Sequence, residues 1–577
     1  MRVRSISEIC RTPAFKVFLA ALAIFFAAAV LLTGRLDPTG DEPAYLLLAD
    51  SLLFRHDLDL TNSIASKDYQ RFLSVGNSPQ GTFDQVALDL HTFDYTGQGR
   101  LSSVHNIGTP AIIVPAYAFG GRLGASLFMS LLAALFTTEM YSLCRRYARK
   151  KGVAMMAWAP LALSIPLFPY SSLIYPEVPA ALIILTAWIL AFEFESQRPR
   201  HFFAVALLVG ALPWFHVKYL AASLAILVVC VIKHRRAIFE ARNLIPMGIP
   251  IASSLALLAV FFNYVYGSPS PFAPYAAPVV GFHPETFGDG MAGLWLDQEF
   301  GLLTHSPVYL FGLLGVGKLV WDRKYGLVIA LAVVFGSVYL PSAAHGSWWA
   351  GQSFPVRFFL PVLPVLSIPT AYLLSGTRTK PVFIGFGALA AISITVAMFG
   401  VVNPRLLLDD ANGTSKFWAA AGQGRVRLER LLPNYVRFRS VWGADSLPHL
   451  VGEDVVDPYA NSAKSRFSRA GSPPGFLIYG PYASLKEGRY KATFYMKADA
   501  AGFVGPVANI DVSATPPSGE TNVLAFREIP ADAFWDFPRY QEVSLYFAAS
   551  GSARIEFRVV SLGKADLWIE AVQVWEQ

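Results

Sequence analysis

Residues 14–43 read AFKVFLAALAIFFAAAVLLTGRLDPTGDEP. The run from Ala14 to Thr33 is interrupted only by Lys16, and its length is about the 20 residues an α-helix needs to cross a bilayer. The N-terminus before it is basic, and no small-residue cleavage site follows it, so it reads as an uncleaved first transmembrane helix. Just past it stand Gly40-Asp41-Glu42-Pro43. Two adjacent carboxylates at a membrane boundary are costly and call for a use.

The rest of the chain repeats the pattern. Of its 577 residues 54% are hydrophobic and 15% charged, and the mean hydropathy is +0.43. A soluble domain carries about 25% charged residues, so the balance is that of a polytopic membrane protein. The net charge of +7 comes with Lys and Arg gathered in short loops between apolar runs. That is topology-setting charge rather than a nucleic-acid surface.

Runs near spanning length fall at about 14–34, 123–143, 153–169, 173–192, 202–215, 218–232, 244–266, 306–321, 326–343, 357–375 and 381–402, eleven in all. Thr109 to Gly120, with Pro110 and Pro115, is too short to span and suits a re-entrant or surface helix. With the N-terminus in the cytoplasm, the basic loops around Arg145-Arg146, Arg198-Pro199-Arg200, Lys233-His234-Arg235-Arg236, Arg323-Lys324 and Arg378 all fall on that side. The odd count puts the C-terminal region outside. Cys10, Cys144 and Cys230 lie at or near the cytoplasmic side, so no disulfide framework is expected, and no CxxC pair suggests a metal.

The expected organisation is a transmembrane domain over 1–402, whose outer loop 35–108 carries the acidic motif, a stem over 403–465, and a β-sandwich over 466–577. The tail earns that assignment by its period. Tyr490, Ala492, Phe494 and Met496 alternate with Lys491, Thr493, Tyr495 and Lys497, the mark of half-buried antiparallel strands. About seven or eight short strands, separated by Gly, Pro and Asp turns, suggest a small sandwich.

Ionisable residues from several elements collect on the outer face. His105 closes the first loop, Glu177 opens the fourth span, His216 and Lys218 occupy a tight turn, His305 opens the eighth span and Arg357 the tenth. Together they offer a general base and phosphate-binding cations on one side of the membrane. Each also has a plainer reading: Asp41 as a helix N-cap, Arg357 as a snorkelling anchor, and each His as a satisfied structural residue.

These residues carry a resemblance. The motifs Gly40-Asp41-Glu42-Pro43-Ala44-Tyr45, Asp57-Leu58-Asp59-Leu60, Ser103-Val104-His105-Asn106-Ile107-Gly108, Tyr175-Pro176-Glu177, Thr304-His305-Ser306-Pro307 and Pro355-Val356-Arg357-Phe358 recur in order over about residues 14–402. The chain resembles the GT-C class of integral-membrane glycosyltransferases, in the branch related to protein O-mannosyltransferases and the lipid A aminoarabinose transferase. The resemblance implies an inverting enzyme of the inner membrane. It would transfer a hexosyl or pentosyl group from a polyprenyl-phosphate donor to an envelope glycan, lipid or protein acceptor on the periplasmic face.

On that reading Asp41 is the catalytic base with Glu42 beside it. Arg357, Lys218 and His105 bind the donor phosphate, and Glu177 and His305 complete the substrate site. No metal or other cofactor is expected. The class often has His where this chain has Ala44, so that role is either absent here or filled from elsewhere, for instance by His105. The rival readings are a flippase for lipid-linked sugars and a non-catalytic glycan-binding assembly protein. The tail resembles carbohydrate-binding sandwiches around Tyr479-Gly480-Pro481-Tyr482 and Gly488-Arg489-Tyr490. There Tyr482, Trp535 or Trp575 would either stack on sugars or fill the core.

Overall fold

The computed structural model describes residues 12–576 apart from 74–89, 91, 195–197, 276–285, 352, 409–414, 423–427, 429–430, 437–438, 458, 461–463, 501, 517–518, 535–536, 539 and 552. Two compact units divide the chain, one reaching Val436 and one from Arg437 onward. The first is helical.

Its first helix, Pro13–Thr33, starts at Thr12, whose hydroxyl accepts from the Phe15 N–H, with Pro13 in the first turn where a missing N–H costs nothing. Six described helices are long and apolar enough to cross a membrane: Pro13–Thr33, Gly108–Tyr147, Val217–Ile238, Ala241–Tyr266, Tyr325–Ala343 and Lys380–Val402. Among the described residues, six of the eleven expected runs form helices of that length. The apolar runs at 202–215, 306–321 and 357–375 fold as the shorter helices Pro199–Phe215, Pro307–Trp321 and Leu363–Gly376. The run at 153–169 breaks after Ala162, close to Pro160 and Pro166, and that at 173–192 starts as helix only at Glu177. Proline removes a helical N–H and clashes with the preceding turn, which hydropathy alone does not register.

The helix Gly108–Tyr147 is two helices joined at Gly120 and Gly121. Gly121 has φ 55° and ψ −143°, a region essentially closed to residues with a Cβ. A Cβ on Gly124 would lie 2.2 Å from the Ala116 carbonyl oxygen, so the two arms approach closely only because that position is bare. The separate short arm is where the sequence placed a re-entrant or surface helix.

The second unit is a pair of antiparallel sheets. Its strands are β1 (Arg439–Gly443), β2 (Glu453–Val456), β3 (Lys464–Ser468), β4 (Gly475–Ile478), β5 (Pro481–Ser484), β6 (Glu487–Asp499), β7 (Pro506–Thr515), β8 (Asn522–Pro530), β9 (Gln541–Ser550), β10 (Arg554–Ser561) and β11 (Asp566–Glu576). A six-stranded sheet runs β9-β6-β11-β3-β2 with β1 also on β11, and a five-stranded sheet runs β8-β7-β10-β4 with β5 also on β10. Tyr490, Phe494, Met496, Ile510, Val512, Phe557 and Val559 share one buried core, as the period of two requires. The strands begin at Arg439, inside the stretch expected to be stem. The helical stem expected at Gly424–Arg430 falls largely outside the described residues.

Candidate active site

Asp41 occupies the N-cap position of the helix Glu42–Phe54, yet its side chain makes no capping hydrogen bond. It accepts instead from Nη2 of Arg357. Arg357 Nε donates to Glu177 Oε1 at 3.1 Å, and the same oxygen takes Lys218 Nζ at 2.9 Å. Four residues spread over more than 300 positions of sequence thus form one network of two carboxylates and two cations. Glu177 side-chain exposure is 0% and that of Arg357 5%, whereas Lys218 and Asp41 keep 17% and 19%. Such a network survives burial only because opposite charges meet at hydrogen-bonding distance.

Local structure aims each member. Glu177 opens the helix Glu177–Trp188, where the macrodipole favours an anion. Lys218 lies in the 3₁₀ turn Val217–Tyr219, whose start is set by His216 Nδ1 accepting the Lys218 N–H at 3.2 Å. Arg357 follows Val356, a buried β-branched residue held at φ 63°. That conformation is strained for valine, and strain of this kind persists only where the surroundings over-determine it. Aromatic faces finish the positioning: the Arg357 guanidinium lies 4.2 Å from the Tyr175 ring centroid, and Lys218 Nζ lies 4.3 Å from that of Phe358. The Tyr175 hydroxyl in turn donates to the Thr39 carbonyl at 2.6 Å, tying this platform to the loop that carries Asp41.

His105 reaches the same place, with Nε2 3.9 Å from Asp41 Oδ1 and its ring 4.8 Å from that of Tyr45. Glu42 has a different set of partners. Its Oε1 accepts from the Ile174 N–H at 2.8 Å and its Oε2 from the Thr39 N–H at 3.2 Å. Burial pushes its carboxyl up from the ordinary range, against the pull of Arg122 and of those two amides. Its contacts hold backbone, joining the acidic loop to the segment before Glu177. His305 stands elsewhere: its Nδ1 is 2.9 Å from the Gly301 carbonyl oxygen and its ring packs near Phe417 and Trp418. Tyr170, whose hydroxyl donates to Phe354 O at 3.0 Å beside this platform, escaped the sequence reading because nothing in its local pattern marks it. No group of three or more His, Cys, Asp or Glu able to hold a metal occurs among the described residues.

In the second unit, the outward face of the five-stranded sheet is unusual. Asp511 and Ser513 of β7 pair in register with Arg558 and Glu556 of β10, and Phe526 of β8 lies opposite Asp511. Arg558 Nε and Ser513 Oγ both donate to Asp511 Oδ1 at 2.7 Å. Asp511, Ser513 and Glu556 are buried, while Phe526 and Tyr482 at the two margins are exposed. Tyr482 is held at φ 66°. Trp575 is half-buried on β11, and Trp535 lies outside the described residues.

No family model matches the chain, and no curated protein matches it. Among solved structures it is similar to ArnT from Cupriavidus metallidurans bound to undecaprenyl phosphate, at 13% identity over 72% of this chain and 69% of that one, with a TM-score of 0.41. It is also similar to the archaeal oligosaccharyltransferase AglB from Archaeoglobus fulgidus in complex with an inhibitory peptide and a dolichol-phosphate, at 15% identity over 67% of this chain and 56% of that one, TM-score 0.35. A third similarity is to the CBM22-1–GH10 modules of a Clostridium thermocellum endo-1,4-β-D-xylanase complexed with xylohexaose. It has 16% identity, a TM-score of 0.17, and covers 24% of this chain and 26% of that one. The chain thus spans only about a quarter of the xylanase modules and just over half of AglB.

Proposed function

We propose that the chain is a membrane glycosyltransferase that moves a sugar from a polyprenyl-phosphate donor to an envelope glycan, lipid or protein. The observation that carries this reading is the buried network of Asp41, Arg357, Glu177 and Lys218. It sets a carboxylate that reaches solvent against two cations. In the step envisaged, an acceptor hydroxyl or amine attacks the anomeric carbon and its proton passes to Asp41. The bond from that carbon to the phosphate oxygen breaks, and the lipid phosphate leaves with the electron pair. Arg357 and Lys218 neutralise the charge that grows on the leaving phosphate. His105, near Asp41, helps place the acceptor, and Glu42 keeps the loop in position. Attack opposite the leaving group gives inversion.

Transfer of radiolabelled sugar from a lipid-linked donor by the purified full chain tests this. Asp41→Asn should lower the rate by about 10²- to 10⁴-fold, the usual worth of a positioned base. A folded Asp41→Asn protein with full activity removes Asp41 from that role. Passage of labelled donor across proteoliposomes without product would instead favour a flippase. The basic loops support a site on the periplasmic side of the inner membrane. Reporter fusions at Gly152 and Gln577 should report cytoplasm and export, respectively, and a cytoplasmic Gln577 would overturn that orientation.

For the tail, the polar floor of Asp511, Ser513, Glu556 and Arg558 between the exposed rings of Phe526 and Tyr482 supports binding of a neutral glycan. Two acids to one guanidinium disfavour polyanions. Tyr482→Ala should weaken retention of the full chain on neutral polysaccharide, and unchanged retention would return Tyr482 to a structural role.

A further inference from the structure

The pairing within the network has a direction. Arg357 lies behind Asp41: its side chain is 5% exposed against 19% for Asp41. Its Nε is fixed on Glu177, which is fully buried and also holds Lys218, so the guanidinium has an anchor that does not depend on Asp41. The Tyr175 ring 4.2 Å away holds it in plane. Its Nη2 is committed to Asp41 Oδ2. A phosphate approaching from the exposed side meets Lys218 and Asp41 first, and can reach Nη2 only by taking the place of the carboxylate. Until then Asp41 Oδ2 is engaged by the guanidinium and is not available to take a proton from the acceptor.

We propose that Arg357 is an exchangeable partner shared between Asp41 and the donor phosphate, so that seating the phosphate releases Asp41 to act as base. Glu177 is the positioning residue that keeps Arg357 and Lys218 in place through the exchange. The donor therefore binds before the acceptor can be activated. This rests on the glycosyl-transfer reading above, and adds that the base and the donor compete for one guanidinium.

The competition makes a prediction opposite in sign to simple loss of a site residue. In full-chain protein reconstituted in nanodiscs, Asp41→Asn should bind undecaprenyl monophosphate more tightly than wild type, roughly tenfold for release of one charge-assisted hydrogen bond. Asp41→Glu, which keeps the charge, should not tighten. An Asp41→Asn protein of wild-type thermal midpoint that binds the lipid phosphate equally or more weakly overturns the exchange. A second measurement needs no variant. In isotope trapping with wild type, prebound donor should be carried to product while prebound acceptor is not, and trapping of prebound acceptor overturns the order. If wild type neither transfers sugar nor binds the lipid phosphate, the underlying reading fails. If it does both and Asp41→Asn does not tighten, only the exchange fails.

Discussion

Two buried ion pairs, one in each unit, are built alike and left in different states. In the β-rich unit Lys497 and Asp457 meet at 2.5 Å with side-chain exposures of 4% and 5%. Every edge of that pair is closed. Asp457 also accepts from the Tyr459 N–H at 2.9 Å and from the Tyr540 hydroxyl at 2.7 Å. Lys497 Nζ lies about 5 Å from the ring centroids of Tyr459, Tyr540 and Trp568. In the helical unit Glu177 spends Oε1 on two cations, while its Oε2 is buried with no hydrogen-bond partner among the described residues, and Asp41 reaches solvent. A closed pair holds a fold together. A pair with an unspent acceptor and one solvent-facing member is arranged to change partners, since an unmet buried acceptor costs about 1–3 kcal/mol until something donates to it.

The largest expected difference is in catalysis. Arg357→Ala should lower transfer by about 10²- to 10³-fold, as removal of one preorganised donor to a developing charge does. Steady-state kinetics on the reconstituted protein would show it, and a change of less than about tenfold would place Arg357 among the structural pairs.

Next comes stability of the closed pair. Asp457→Asn leaves Lys497 buried without its anion and should destabilise the β-rich unit by about 3–5 kcal/mol, read as a lower thermal midpoint of its tryptophan fluorescence. An unshifted midpoint would mean the aromatic rings alone suffice.

The acid response follows from the same pair and is smaller. Burial raises the Asp457 carboxyl, but Lys497, the Tyr459 amide and Tyr540 outweigh it and hold it below the ordinary range. A group whose folded pKa is depressed adds stability above its unfolded pKa of about 3.9, and loses it as pH falls through the lower folded value. The midpoint should therefore fall more steeply below about pH 4 in wild type than in Asp457→Asn. Equal slopes would assign acid sensitivity to other carboxylates.

The smallest effect expected is at Val356. Val356→Gly relieves a strained φ but gives up a buried side chain, so stability should move by less than about 1 kcal/mol. A looser Arg357 should cost a few-fold in rate. A loss as large as that of Arg357→Ala would make the strained turn the sole device that aims the guanidinium.

The sequence was most informative where chemistry is local. The apolar run before Gly34 and the alternation through Tyr490–Lys497 each state their own conformation, because helical and extended periods are written residue by residue. It was less informative where breaks interrupt apolar runs. Hydropathy counts 153–169 as one span, while the helix ends at Ala162 and a separate short helix follows Pro166. The first strand of the second unit, at Arg439, was hidden inside a stretch of mixed composition. Among the candidate site residues, Asp41, Glu177, Lys218, His105 and Arg357 were all legible as ionisable groups at run ends. The different surroundings of Glu42 and His305 were not. Adjacent letters suggest a pair in Asp41-Glu42, but neighbours on a helix start point differently, and Glu42 turns to two backbone amides.

By itself, the sequence determined that this chain folds as apolar helices followed by strands, and that acids and bases collect at the ends of its apolar runs. Those properties depend on composition and period over a few turns. Only the tertiary structure decided which charges meet. Pairing Asp41 with Arg357 requires segments 316 residues apart to bring oxygen and nitrogen into contact, and such distances depend on packing, which no local pattern encodes. The same holds for Gly40-Asp41-Glu42-Pro43. Its position past a spanning helix was readable, but the split of its two carboxylates, one to a guanidinium and one to the backbone, was decided by what packs against them.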